Sequence, residues 1–283
     1  MVLEGLITGK TLEKKSRLAF FVGALYSFLG IFLAKILFPQ DPALVAVAFT
    51  SILLLPSLYK MFTREEKMEE KEKHFSFKEL YKDNKQFIKI YIFLFLGILV
   101  VYSFSAMILG SFQVNELFRE QLEMRGAGGA VFHEGLFEGL LSNNFEVLIA
   151  IFLISLVTGD GAIFLIVWNA SVWGTIFGIT ARNAGAVSDT HPLVYFALIM
   201  LIVFPHMILE ALAYILGAIS GGMISKDVLM ERFESRRFNE VFFFNFILFI
   251  VALVVLVLGA IVETYVLSNV DTYIEIIRLS FRA

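Results

Sequence analysis

The sequence predicts an all-α, polytopic transmembrane helical bundle of about seven spans, and three observations predict it. Apolar residues fall in runs long enough to cross a hydrocarbon layer of ~30 Å, which takes roughly 20 helical residues. Of the 283 residues, 58% are hydrophobic and only 17% are charged, where a soluble domain has roughly 45–50% and 25%. Lysine and arginine gather in alternate loops, as expected of a chain threaded through a bilayer. The net charge of -3 supplies no basic stripe for nucleic acid. The absence of cysteine excludes disulfides, thiolate metal sites and Cys nucleophiles.

Taken in order, the first span is expected from Leu18 to Phe38. It follows a basic run, Lys10 to Arg17, and continues without an Ala-x-Ala cleavage site, so it reads as a retained helix rather than a signal peptide. Pro39-Gln40-Asp41-Pro42 turns the chain into a second span, Ala43 to Phe62, because proline fixes φ and cannot continue the incoming helix. Residues 1–62 would thus form an N-terminal two-helix hairpin. In residues 63–87, Glu and Lys alternate at i,i+4 spacing from Arg64 to Lys73, which reads as a solvated cytoplasmic helix or linker.

A third span is expected from Ile88 to Phe112. The segment Gln113 to Glu146 carries too many charges to cross, but Leu117, Phe118, Leu122, Val131, Phe132, Leu136, Phe137, Leu140 and Leu141 give it an apolar stripe. It is expected to lie in the membrane interface between spans three and four, broken at Gly126 to Gly129. A short fourth span, Val147 to Thr158, turns at Gly159-Asp160-Gly161 into a fifth, Ala162 to Thr180. The sixth runs from Leu193 to Gly222 and the seventh from Val241 to Leu267. Residues 268–283 form an amphipathic C-terminal tail, and residues 88–267 a five-span core.

Seven spans with the N-terminus inside place 17 of the 23 Lys and Arg residues on the cytoplasmic side. Cytoplasmic loops carry that excess, so a cytoplasmic N-terminus and an extracytoplasmic C-terminus are expected.

Polar side chains inside spans cost ~2.5–3.5 kcal/mol near the bilayer centre when charged, so those present point to function. The sixth span holds the clearest group, Pro205-His206-Met-Ile-Leu-Glu210. His206 and Glu210 are four apart and share a helix face. Ala213, Gly217 and Gly221 continue that face as a small-residue groove. Pro205, read as a helix kink, frees a carbonyl one turn earlier. In one reading the couple is structural and Gly217-x-x-x-Gly221 admits a neighbouring helix. In the other it binds a proton, a metal ion or a partner. The fifth span adds Asn169, expected to be interhelical glue, and a second small pair, Gly174 and Gly178. Asn143 and Asn144 read as caps of the fourth helix. His133, Glu134 and Glu138 match no standard metal-ligand spacing, and neither a metal nor a cofactor is expected.

His-Glu-x-x-His, Gly-x-Ser-x-Gly and the Gly-x-x-x-x-Gly-Lys-Ser/Thr phosphate loop are all absent, so no enzyme class finds its motif.

Together, Leu141-Ser-Asn-Asn144, Gly159-Asp-Gly161, Trp168-Asn169-Ala-Ser-Val-Trp-Gly174, Pro205-His206-Met-Ile-Leu-Glu210, Gly217 and Gly221 resemble the stage II sporulation protein M family over about residues 88–267. Met207 and Ala170 stand where that family usually has glycine. The resemblance implies a multi-pass membrane protein without established enzymatic activity. In sporulating bacteria the namesake acts in engulfment of the forespore, in a complex with cell-wall-degrading partners.

The expected function is therefore a non-enzymatic scaffold or assembly component in the lipid bilayer, a homodimer or homo-oligomer with membrane-protein or cell-envelope partners. The alternative is a transporter or channel with a polar path at His206, Glu210 and Asn169. An intramembrane hydrolase using Glu210 and His206 lacks a nucleophile.

Overall fold

The computed structural model describes residues 12, 15–69, 77–127, 135–159, 161–230 and 236–282. His133, Glu134, Asp160, the middle of the charged linker and part of the loop before the last span lie outside them. Among the described residues the chain forms helices throughout: α1 (Leu18–Leu37), α2 (Pro42–Glu69), α3 (Phe77–Ile108), α4 (Ser111–Leu117), α5 (Arg119–Ala127), α6 (Leu136–Thr158), α7 (Ile163–Ala186), α8 (Pro192–Met230), α9 (Arg236–Asn269) and α10 (Asp271–Ser280). Six stretches are long and apolar enough to cross a membrane, namely α1, Asn84–Ile108, α6, α7, Pro192–Ser225 and Phe242–Asn269. The apolar part of α2, Pro42–Leu58, is shorter and completes seven. The protein is a multi-pass membrane bundle.

Packing fixes the relative directions of these helices. Along α6 from its start, Asn144 meets Tyr214, Leu148 faces Gly217 and Phe152 faces Gly221. The two sets of numbers rise together, so α6 and α8 run parallel. By the same test α3 and α7 are parallel, since Leu99 faces Gly174, Ser103 faces Gly178 and Leu109 bonds to Arg182. α8 and α9 run antiparallel, with Ser220 donating to the Asn245 carbonyl at 2.5 Å and Glu210 lying against Gly259. Short turns join α6 to α7 and α7 to α8, so α3, α7 and α9 point one way and α6 and α8 the other. Gly159, at φ 76, ends α6 in a conformation that L side chains rarely adopt.

The sequence misplaced the start of the fourth span. Leu136, Phe137, Leu140 and Leu141 belong to the first turns of the 23-residue α6, continuous with the span. Three flanking polar residues, Glu138, Asn143 and Glu146, made the segment look too charged to cross. Asn143 and Asn144 therefore lie inside a helix rather than capping one. Among the described residues, α4 and α5 lie between spans three and four and press inward. Val114, Leu117 and Phe118 are buried, the Phe118 ring lies 5.4 Å from that of Tyr102, and Gln121 donates to Ser171 Oγ at 3.3 Å.

Hydrocarbon gives apolar side chains no reason to leave it, so helices here associate through close backbone approach and polar bonds. Glycines supply the approach. A Cβ on Gly97 would strike the Phe20 carbonyl, and one on Gly30 would fall 2.7 Å from the Ala46 carbonyl, so α1 needs both positions bare to pack on α3 and α2.

Candidate functional site: a buried carboxyl pair between two spans

α8 carries Glu210 into the middle of the bundle, where it is 2% exposed. Its neighbour across the interface is Gly259 of α9, where a Cβ would stand 3.2 Å from Glu210 Cγ. The missing side chain lets the two helices close on the glutamate. One turn beyond Gly259, on the same face of α9, stands Glu263, which brings its carboxyl beside that of Glu210. Glu210 Oε1 and Glu263 Oε2 are buried without a hydrogen-bond partner.

Three further polar groups surround the pair. Tyr214, one turn after Glu210, is buried and donates its hydroxyl to Asn144 Oδ1 of α6 at 3.1 Å. That oxygen also faces Asn143 Nδ2 at 3.4 Å. Tyr273 of α10 is near enough to Glu263 to feel its charge. Burial, and next the charge of Glu263, push its phenol above the ordinary tyrosine value. Four helices thus contribute polar groups to one junction, two carboxyls, two phenols and an amide, with the Tyr214–Asn144 bond joining α8 to α6.

His206 shares the helix but not the contact. It is 6% exposed and its Nδ1 has no partner. No hydrogen bond or ion pair joins it to Glu210 among the described residues, whose carboxyl goes instead to Glu263. The couple expected from i,i+4 spacing is replaced by a pair formed across helices. Asn169 is also elsewhere: its Nδ2 donates to the Leu165 carbonyl of its own helix at 2.8 Å. It bridges no helices through that bond, contrary to the expectation of interhelical glue. α8 continues through Pro205 without interruption.

The small residues act within the chain. A Cβ on Gly174 would come 2.6 Å from the Leu99 carbonyl, and one on Gly178 would strike that of Ser103, both on α3. A Cβ on Gly221 would strike the Phe152 carbonyl of α6, whereas one on Gly217 would meet only the tip of Leu148. Ala213 is fully buried. Both Gly-x-x-x-Gly pairs are therefore occupied by helices of the same protomer.

Glu263 and Gly259 were missed in the sequence, although a lone carboxylate inside a 28-residue apolar helix and a glycine four residues before it were visible there. A second polar cluster, also missed, joins α3, α5 and α7. Tyr102, Ser103, Gln121 and Thr175 are all fully buried there, each with an oxygen lacking a hydrogen-bond partner. An apolar cleft of about 400 Å³ between α6 and α9, lined by Leu141, Phe145, Leu253, Leu256 and Val257 with Glu138 and Ser142, completes the described features.

The sequence matches the family model described as Stage II sporulation protein M over residues 87–267. That interval begins with α3's apolar part and ends near the close of α9, so it contains the whole of the carboxyl pair and both glycine pairs. No curated protein and no solved structure matches the chain.

Proposed function

Given that the chain belongs to the stage II sporulation protein M family, we propose that it is a non-enzymatic assembly component of the membrane, holding other membrane or cell-envelope proteins. The observation that carries this reading is the division of the bundle into a closed polar interior and an apolar exterior. Glu210, Tyr214, Asn144, Tyr102 and Gln121 are all buried in helix contacts. Outward, α1 presents Phe21, Leu25, Phe28 and Phe32, and α9 presents Phe243, Ile247, Ile250, Val254 and Ile261. Those spacings of three and four make continuous stripes, suited to lipid or to the helix of a partner. Because both glycine pairs are used within the protomer, a second copy or a partner would dock on these stripes. The Lys/Arg excess favours an N-terminus in the cytoplasm.

One test is a photo-crosslinking amino acid placed at Phe28 or Ile250, followed by mild solubilisation. Discrete adducts with membrane or envelope proteins, at one stripe and not the other, are expected. Adducts with lipid alone at both would remove the reading.

Transport is the second reading, favoured by the Glu210–Glu263 pair, since paired acids inside spans mark ion and proton routes. Reconstituted vesicles discriminate: cation or proton flux lost in Glu210→Gln supports transport, and flux indifferent to that change supports assembly.

A further inference from the structure

Glu210 and Glu263 reach each other from antiparallel helices, and among the described residues no ion pair engages either. An ionised carboxylate only accepts hydrogen bonds, so a bond between two carboxyls needs a proton on one of them. Two carboxylates at contact distance cannot both ionise without a cation between them. Among the described residues no Lys or Arg is paired with either carboxyl. Tyr214 on α8 gives its hydroxyl to Asn144 of α6, Tyr273 of α10 stands within the field of Glu263, and His206 lies one turn before Glu210 with its Nδ1 unpartnered. These are the titratable groups beside the pair, and none is a fixed cation: a phenol never carries positive charge and an imidazole carries it only when protonated. His206 is not an acid, yet it too is buried with a free polar atom, so the junction has hydrogen-bonding capacity beyond what the helices themselves use. Glu263 stands six residues before the end of α9, about 9 Å along the axis. The aqueous face that carries α10 is thus the nearest source of a proton.

We infer that Glu210 and Glu263 form a single proton-binding site which fastens α9 to α8. With the shared proton in place the two helices are joined by a hydrogen bond in a medium where alternatives are few. Without it, two like charges face each other across the Gly259 contact, and α9 is pushed from α8. The site converts proton activity at the α10 face into the tightness of the last span. This goes beyond the assembly reading and holds whether or not the protein recruits partners.

The test uses the full chain reconstituted in lipid, as wild type, Glu210→Gln, Glu263→Gln and the double variant. Infrared spectra should show the C=O stretch of a protonated carboxyl in the wild type at neutral pH, absent from the double variant. Thermal unfolding should fall by several degrees in the wild type as pH rises from neutral to alkaline. In Glu263→Gln, which removes the like charge and keeps a hydrogen-bonding amide, that fall should flatten. Glu263→Gln, nearer the helix end, carries the comparison if Glu210→Gln does not fold. A wild-type spectrum indistinguishable from the double variant, or equal pH slopes in wild type and Glu263→Gln, would overturn the inference.

Discussion

Arg182 of α7 caps the end of α3: its Nη1 donates to the Leu109 carbonyl at 2.8 Å and to that of Ala106 at 3.3 Å. The last carbonyls of a helix have no partner within it and carry the negative end of its dipole. A guanidinium held by a parallel neighbour satisfies both needs, and Nη2 reaches on to Ser111 Oγ at 3.4 Å, at the start of α4. One side chain therefore sets where α3 stops and where the inward-pressing segment begins.

Replacing Arg182 with Ala should destabilise the bundle by about 1.5–3 kcal/mol, the range for hydrogen bonds to a charged group. Lysine should restore less than half, because it lacks the fork that reaches carbonyl and hydroxyl together. Thermal unfolding in detergent measures both. Equal stability of wild type and Arg182→Ala would refute the capping role.

The glycines give a graded series. Gly139→Ala has open space around it and should be neutral or mildly stabilising. Gly217→Ala meets only the flexible end of Leu148 and should cost little. Gly221→Ala would drive a methyl into the Phe152 carbonyl and within 2.8 Å of Ser155 Cβ, a cost of about 1–3 kcal/mol. None should change the size of the particle in nanodiscs, since these contacts lie within one protomer. A shift in oligomeric state with Gly221→Ala would place that face between copies instead.

Tyr214→Phe removes the donor to Asn144 Oδ1. In membranes such bonds average about 0.6 kcal/mol and reach about 1.7, so a loss within that range is expected. Asn144→Ala should cost a similar amount, and the double variant less than the sum. Strict additivity would show that the two residues do not act as a pair.

Topology can be read chemically, because the native chain has no cysteine. Cysteines placed singly at Val187 and Phe281, both exposed, should react with a membrane-impermeant thiol reagent from the same side. A cysteine at Arg17 should react only from the other. In intact cells the first two should label and Arg17 should not. Labelling of Arg17→Cys alone would invert the orientation.

The sequence by itself determined that this chain crosses a membrane, and roughly where. Long apolar runs have one physical outlet, since a backbone in hydrocarbon must satisfy its own hydrogen bonds and does so as a helix. The turn at Pro39 to Pro42, the break at Gly159 and the polar residues of the sixth span were legible for the same local reason. Span four was started too late because the acidic residues before it were counted against a crossing and Asn143 and Asn144 were read as its caps. Asn144 instead lies inside the helix and accepts from Tyr214, 70 positions away, which no local window contains.

Tertiary structure alone decided what each polar or small residue does. Spacing of four placed His206 and Glu210 on one face, but a shared face does not make a contact when a better partner arrives from another helix. Glu210 closes on Glu263 only because α9 runs antiparallel to α8 and presents Gly259 at that level. The two glycine pairs announced close helix contacts without saying with which helix, and the fold spends them on α3 and α6. Periodicity fixes which side of a helix a residue occupies. Which neighbour fills that side is settled by the packing of the whole bundle.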